Sequence, residues 1–95
     1  MHFDFVLNEI GKIKDKYGSI EKIVLFGSRA RGDFKMTSDI DLCIFGNEIT
    51  KKQFPLIALE IDDIETYLSF DILFFDSINN PRLKQKILEE GVVIS

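Results

Sequence analysis

The stretch that decides the fold reads Val24-Leu25-Phe26-Gly27-Ser28-Arg29-Ala30-Arg31-Gly32 and is followed, after a short gap, by Ser38-Asp39-Ile40-Asp41-Leu42. Ile23 to Phe26 is a short apolar run of the kind that forms a buried strand, and Gly27 punctuates it where the backbone turns sharply. Ser28 then stands where a helix N-cap would stand. Backbone N–H groups just inside a helix start are unpaired, carry partial positive charge and take phosphate oxygens, and a serine hydroxyl adds one more donor. By itself a Gly-Ser pair is more often a plain turn.

The acids downstream favour the phosphate reading. Side chains alternate across a strand, so Asp39, Asp41, Cys43 and Phe45 share one face while Ile40, Leu42 and Ile44 share the other, the buried one. Asp39 and Asp41 then lie about 7 Å apart along the strand at ~3.3 Å per residue. Two carboxylates so placed repel, and a hard divalent cation with oxygen ligands relieves that cost while keeping sites for water and phosphate. Capping and solubilising a strand entrance is the bland alternative. A third acid, Asp71, sits inside Phe70-Asp71-Ile72-Leu73-Phe74-Phe75. This run reads as a central strand, where an unpaired Asp is costly unless it binds metal. If the two strands are neighbours, three carboxylates converge beside two arginines, the parts of a two-metal phosphoryl-transfer site. Arg29 and Arg31 each have two readings, contact with a triphosphate or structural counter-charge, with Arg31 expected to be the more structural.

Outward from this centre, 95 residues with 45% apolar content give one small globular domain, taken as 1–95, with a single modest core. No apolar stretch reaches membrane-spanning length and Met1-His2-Phe3-Asp4 does not open a signal peptide, so a cytoplasmic protein without membrane attachment is expected. A net charge of -4 argues against an extended nucleic-acid track. The lone Cys43 reads as a packed small residue.

Phe3, Val6, Leu7, Ile10, Ile13 and Tyr17 recur at helical spacing up to a stop at Gly18. His2 reads as a solvated terminal residue. Phe34 and Met36, in the loop from Asp33 to Thr37, either pack or touch a nucleotide base, and packing is preferred. Thr50-Lys51-Lys52-Gln53 reads as a capping box, with Pro55 pushing the regular helix start towards Phe54 and a stripe of Ile57, Ile61, Ile64 and Leu68 behind it. Glu60, Asp62, Asp63 and Glu65 read as a solvated face. Asn80-Pro81 opens a last helix with Leu83, Ile87 and Leu88 on its apolar side, and Gly91 ends it before a short closing strand, Val92-Val93-Ile94. Strands and helices alternate, which implies an α/β (α+β) domain with a short mixed sheet backed by helices.

Gly27-Ser28, ten intervening residues, then Asp39-Ile40-Asp41, resembles the signature of the DNA polymerase beta-like nucleotidyltransferase superfamily. The nearest likeness is to its minimal branch, the small nucleotidyltransferases paired with HEPN-domain proteins. The resemblance implies that Gly27 and Ser28, with Arg29, Arg31 and Ser38 around them, bind the nucleotide, and that Asp39, Asp41 and Asp71 are catalytic and hold two Mg2+ ions. It implies in-line attack on the α-phosphate of ATP or another NTP with release of pyrophosphate. It further implies a type VII-like antitoxin that transfers AMP to a tyrosine of a HEPN toxin, either as a homo-oligomer or as a hetero-oligomer with that toxin. Two alternatives remain beside it: a non-catalytic antitoxin acting by contact, and a standalone nucleotidyltransferase acting on a small molecule or RNA end.

Overall fold

The structure is a computed structural model that describes residues 2–95, and Met1 lies outside the described residues. Helix α1 (His2–Lys16) leads into strand β1 (Lys22–Phe26), the short helix α2 (Ser28–Arg31) and strand β2 (Ile40–Phe45). Helix α3 (Gln53–Asp62), strand β3 (Phe70–Phe74), helix α4 (Pro81–Glu90) and strand β4 (Val92–Val93) complete the order. The four strands form one mixed sheet in the order β3-β2-β1-β4. Strand β1 pairs antiparallel with β2 and with β4, and β2 pairs parallel with β3. This is the α/β arrangement of a short mixed sheet backed by helices that the sequence implies.

Alternation along the strands builds two cores. On one face Ile23, Leu25, Ile40, Leu42 and Ile44 meet Val6 and Ile10 of α1 and Ile57 and Ile61 of α3. On the other, Val24 and Cys43 meet Ile87 of α4. Burying each such Val, Leu or Ile side chain is worth about 1.5–3 kcal/mol. The sheet is therefore covered on both sides, and Cys43 is buried in the second core, where burial, with Asp76 adding to it, pushes its thiol up to about 12. An inert, packed cysteine is what the sequence suggests.

The caps explain where the helices start. Asn80 accepts hydrogen bonds from the backbone N–H groups of Arg82 and Leu83, and Pro81 occupies the first helical position, where no N–H is needed. Only half of the expected capping box forms at α3. Thr50 Oγ1 accepts from Gln53 N, but the Gln53 side chain turns instead to the Ser19 hydroxyl. Helix α3 starts at Gln53, one residue before the expected Phe54, because Pro55 then falls in the first turn, whose N–H groups have no intrahelical partner.

Several expectations change. Strand β3 is an edge strand, not a central one, so Asp71 is exposed and carries no burial cost. The run is apolar because both faces of β3 are half-covered, by α3 and by the segment leading to α4. Leu88 is exposed, leaving Leu83 and Ile87 as the packed side of α4. Ile64 and Leu68 join the first core from beyond the end of α3. Glu60 is not part of a purely solvated face: it accepts from Tyr17 and Lys16 at the end of α1. His2 is exposed, as expected, and in addition its Nε2 lies 2.6 Å from Thr66 Oγ1 and its ring stacks on Tyr67. Among the described residues no helix is long and apolar enough to cross a membrane.

Candidate active site

The site is built where β1 ends, β2 begins and β3 begins. The register pairs Phe26 with Asp41 across the antiparallel ladder and Asp41 with Asp71 across the parallel one. Residues paired in register share a face, so Asp41 and Asp71 stand side by side on the face covered further along by α4. Asp39 lies one residue before β2 and is exposed. The sequence expectation that the strands of Asp41 and Asp71 are neighbours is met, and the two carboxylates are brought together.

Gly27 makes the close approach of the elbow to these acids. Its φ of 74° and ψ of -155° lie in a region essentially restricted to glycine, and a Cβ at this position would collide with Asp41 Oδ2. The glycine is therefore needed twice, for the turn and for the room it leaves to the Asp41 carboxylate. Ser28 is not the N-cap expected from the sequence. Gly27 holds that position and Ser28 is the first helical residue, because the Gly27 carbonyl already accepts from the N–H groups of Ala30 and Arg31, both at 3.1 Å. Helix α2 has four residues and closes on Gly32, which takes a left-handed φ of 90°.

Electrostatics single out Asp41. Partial burial, then the charge of Asp71, then that of Asp39, hold its carboxyl above the ordinary range, with Arg31 opposing them. Asp41 thus feels the charge of both other acids, offset only in part by Arg31. Among the described residues no group of three or more His, Cys, Asp or Glu is placed to hold a metal ion, so the structure brings Asp41 and Asp71 together without gathering Asp39 into a three-carboxylate cluster. The donor set nevertheless fits magnesium, which takes one or two carboxylates and fills its shell with water and substrate phosphate. Asp41 and Asp71, with Asp39 beside them, are the residues able to hold it.

Both arginines make structural contacts, Arg29 to backbone carbonyls and Arg31 to carboxylates. Arg29 donates from Nε to the Ser38 carbonyl at 3.1 Å and from an Nη to the Met36 carbonyl at 3.2 Å. Its guanidinium also lies 4.7 Å from the Phe34 ring centre and 5.4 Å from that of Phe3. Arg29 therefore pins the loop that delivers Asp39. Ser38 closes the same loop, its hydroxyl accepting from Lys35 N at 2.9 Å. Arg31 makes only long, exposed contacts, 3.4 Å to Asp33 and 3.5 Å to Glu90 at the end of α4, and is the arginine whose charge reaches Asp41. The role of Glu90 was not readable from the sequence, since 59 residues separate it from Arg31. Phe34 and Met36 do not pack inward. They are 42% and 72% exposed and rim an apolar cavity of about 300 Å³ with His2, Phe3 and Tyr67.

Comparison with known proteins agrees with this geometry. Residues 8–95 match the family model described as "Polymerase beta, Nucleotidyltransferase". Among curated relatives from Methanocaldococcus jannaschii, one named "Putative protein adenylyltransferase MJ1217" is 36% identical over 88 residues, covering 86% of this chain and 83% of its own. A second of the same description, MJ0126, is 35% identical over 87% of this chain and 84% of its own. Among solved structures, a toxin-antitoxin crystal structure with AMP-PNP superposes with a TM-score of 0.74 at 22% identity, over 94% of this chain and 72% of that one. A tri-AMPylated Shewanella oneidensis HEPN toxin in complex with MNT antitoxin gives 0.70 at 19% identity, over 97% and 71%. At these identities the structural likeness establishes the fold.

Proposed function

The chain belongs to the polymerase beta nucleotidyltransferase family, and from that premise we propose that it is a Mg-dependent protein adenylyltransferase, moving AMP from ATP to a tyrosine of a HEPN-domain toxin and acting as its antitoxin. The observation that carries the reading is the Asp41–Asp71 register pair, with Asp41 laid over the Cα of Gly27. It sets two carboxylates beside an elbow with no side chain in the way. The names of the relatives support AMP and a protein acceptor, and the complexes formed by the structural neighbours support a HEPN partner.

The residues then take these roles. The elbow at Gly27 and Ser28 receives the β and γ phosphates, with Arg31 as the nearby cation. Asp41 and Asp71, with Asp39 beside them, would hold two magnesium ions, which would supply charge neutralisation of the phosphates and acidify the acceptor hydroxyl. The tyrosine oxygen attacks the α-phosphorus in line, the bond to the β-phosphate oxygen breaks, pyrophosphate leaves towards the elbow and the Asp71 carboxylate accepts the phenolic proton. The whole of 1–95 serves as one cytoplasmic transferase domain, in a hetero-oligomer with the toxin.

The test is incubation with α-labelled ATP, magnesium and the HEPN-domain protein encoded beside this chain. Label should appear on a tyrosine of the partner and disappear in the Asp39→Ala, Asp41→Ala double variant. A partner neutralised without label, equally by wild type and variant, would show that neutralisation is by contact. Label on a small molecule or RNA end instead would place the acceptor elsewhere.

A further inference from the structure

In-line displacement fixes the side from which the acceptor arrives. On the proposed reading the pyrophosphate leaves towards the elbow that follows β1 and the reacting α-phosphate sits by Asp41 on β2, so the attacking hydroxyl comes from the opposite side, that of β3. Beyond β3 there is no further strand. Ile40 N donates to the Ser69 carbonyl, so in the alternation of a parallel ladder Ser69, Asp71 and Leu73 turn their backbone groups towards β2. Phe70, Ile72 and Phe74 therefore turn their N–H and C=O groups outward, along the open edge. Next to the second half of this edge runs a groove of about 400 Å³ whose apolar wall includes Phe54, Ile72, Phe74 and Leu83 and whose rim carries the polar Ser77, Asn79 and Asn80.

We propose that this edge is the acceptor's docking strand: an extended polypeptide segment adds to β3 as a fifth strand, with its hydroxyl residue beside Asp71 and an apolar side chain in the groove. The inference rests on the protein-acceptor reading above and goes beyond it by assigning the surface and the conformation in which the acceptor is read. Main-chain pairing supplies affinity that is indifferent to sequence, and the groove supplies selection. From Asp71 to Phe74 is about 10 Å at ~3.3 Å per residue, so the apolar anchor falls about three residues from the modified one. A small molecule has no use for three outward amide rungs.

Ile72→Pro removes one outward N–H and places a ring on the edge while leaving the ladder to β2 intact, a substitution that edge strands tolerate. With the HEPN-domain protein as acceptor, Ile72→Pro should raise the KM for that protein about tenfold or more, with KM for ATP and AMP-PNP affinity unchanged. Ile72→Ala, which keeps the N–H, should stay within about threefold of wild type. Equal acceptor KM in Ile72→Pro and Ile72→Ala overturns the edge assignment. In the wild-type complex, the amides of Phe70, Ile72 and Phe74 should exchange more slowly with solvent than in the free chain. Unchanged exchange there overturns it as well, and this readout holds even if the proline variant fails to fold. Absence of label on the HEPN protein with wild type is the distinct outcome that removes the protein-acceptor reading itself.

Discussion

Asp41→Asn should stabilise the metal-free protein while abolishing transfer. Asp41 and Asp71 face each other across neighbouring strands, which places their charges roughly 5 Å apart. Two unit charges at that distance repel by about 0.8 kcal/mol in water and by about 3 kcal/mol at an effective dielectric of 20. Asp71 is exposed, so solvent screening holds the value near the lower end, on the order of 1 kcal/mol. Asparagine keeps the shape and removes the charge, and the desolvation that raises the Asp41 carboxyl acts in the same direction. In a domain of this size 1 kcal/mol moves Tm by about 4–8 °C. The assay is thermal unfolding in EDTA and then in saturating magnesium with AMP-PNP. Without metal the variant should melt higher. With metal and nucleotide the order should reverse, since a ligand at 100 times its Kd adds about 2.7 kcal/mol to the protein that binds it. The sign with pH follows from the raised pKa. A carboxyl that the fold prefers protonated contributes stability at low pH and loses it as pH rises through its folded value, so the gap between variant and wild type should close on acidification. A variant that melts at or below wild type in EDTA, or that gains as much from magnesium and nucleotide as wild type does, refutes the reasoning.

Gly27→Ala forces a residue with a Cβ into the φ of 74° and against Asp41 Oδ2, and should cost about 1–3 kcal/mol in urea unfolding and lose transfer activity by displacing that carboxylate. Arg29→Ala releases the carbonyls of Met36 and Ser38 and should cost about 1–2 kcal/mol, with faster amide exchange through residues 35–39. Arg29→Lys should not restore it, because an ammonium cannot reproduce the two-pronged geometry. Glu60→Gln should lower Tm slightly at neutral pH. The hydrogen bonds from Lys16 and then Tyr17 hold the Glu60 carboxyl below its ordinary range, so its contribution is present above that range, and the difference should vanish as pH falls through the folded value.

What could be read from the sequence was local. The elbow, the acid pair and the Asn80-Pro81 start declare themselves through residue type and short spacing; the Asn80-Pro81 start falls where expected, whereas Gly27 takes the cap position expected of Ser28 and Asp39 lies just outside the strand expected to hold both acids. What could not be read was adjacency. The run Phe70 to Phe75 looks like a central strand because periodicity reports how much of each face is covered and says nothing of how many neighbours a strand has. The partners of Arg29 and Arg31 were unreadable for the same reason. Both sit on one four-residue helix, and only the path of the loop back past Arg29, and of α4 past Arg31, decides which guanidinium is tied to backbone carbonyls. His2 gained its partner from Thr66, 64 residues away. Leu88 keeps helical spacing with the packed residues of α4 yet faces outward, since a short helix lying on one sheet face buries a narrower stripe than a bundle helix does.

The most direct test of the central claim is paramagnetic broadening of backbone amide signals by Mn2+ in the presence of AMP-PNP. The account predicts loss of signal centred on Asp41 and Asp71, reaching Asp39 and the elbow at Gly27 and Ser28, with the acidic run Asp62 to Glu65 unaffected. Broadening centred on that run, or signals at Asp41 and Asp71 that persist at saturating nucleotide, would contradict it.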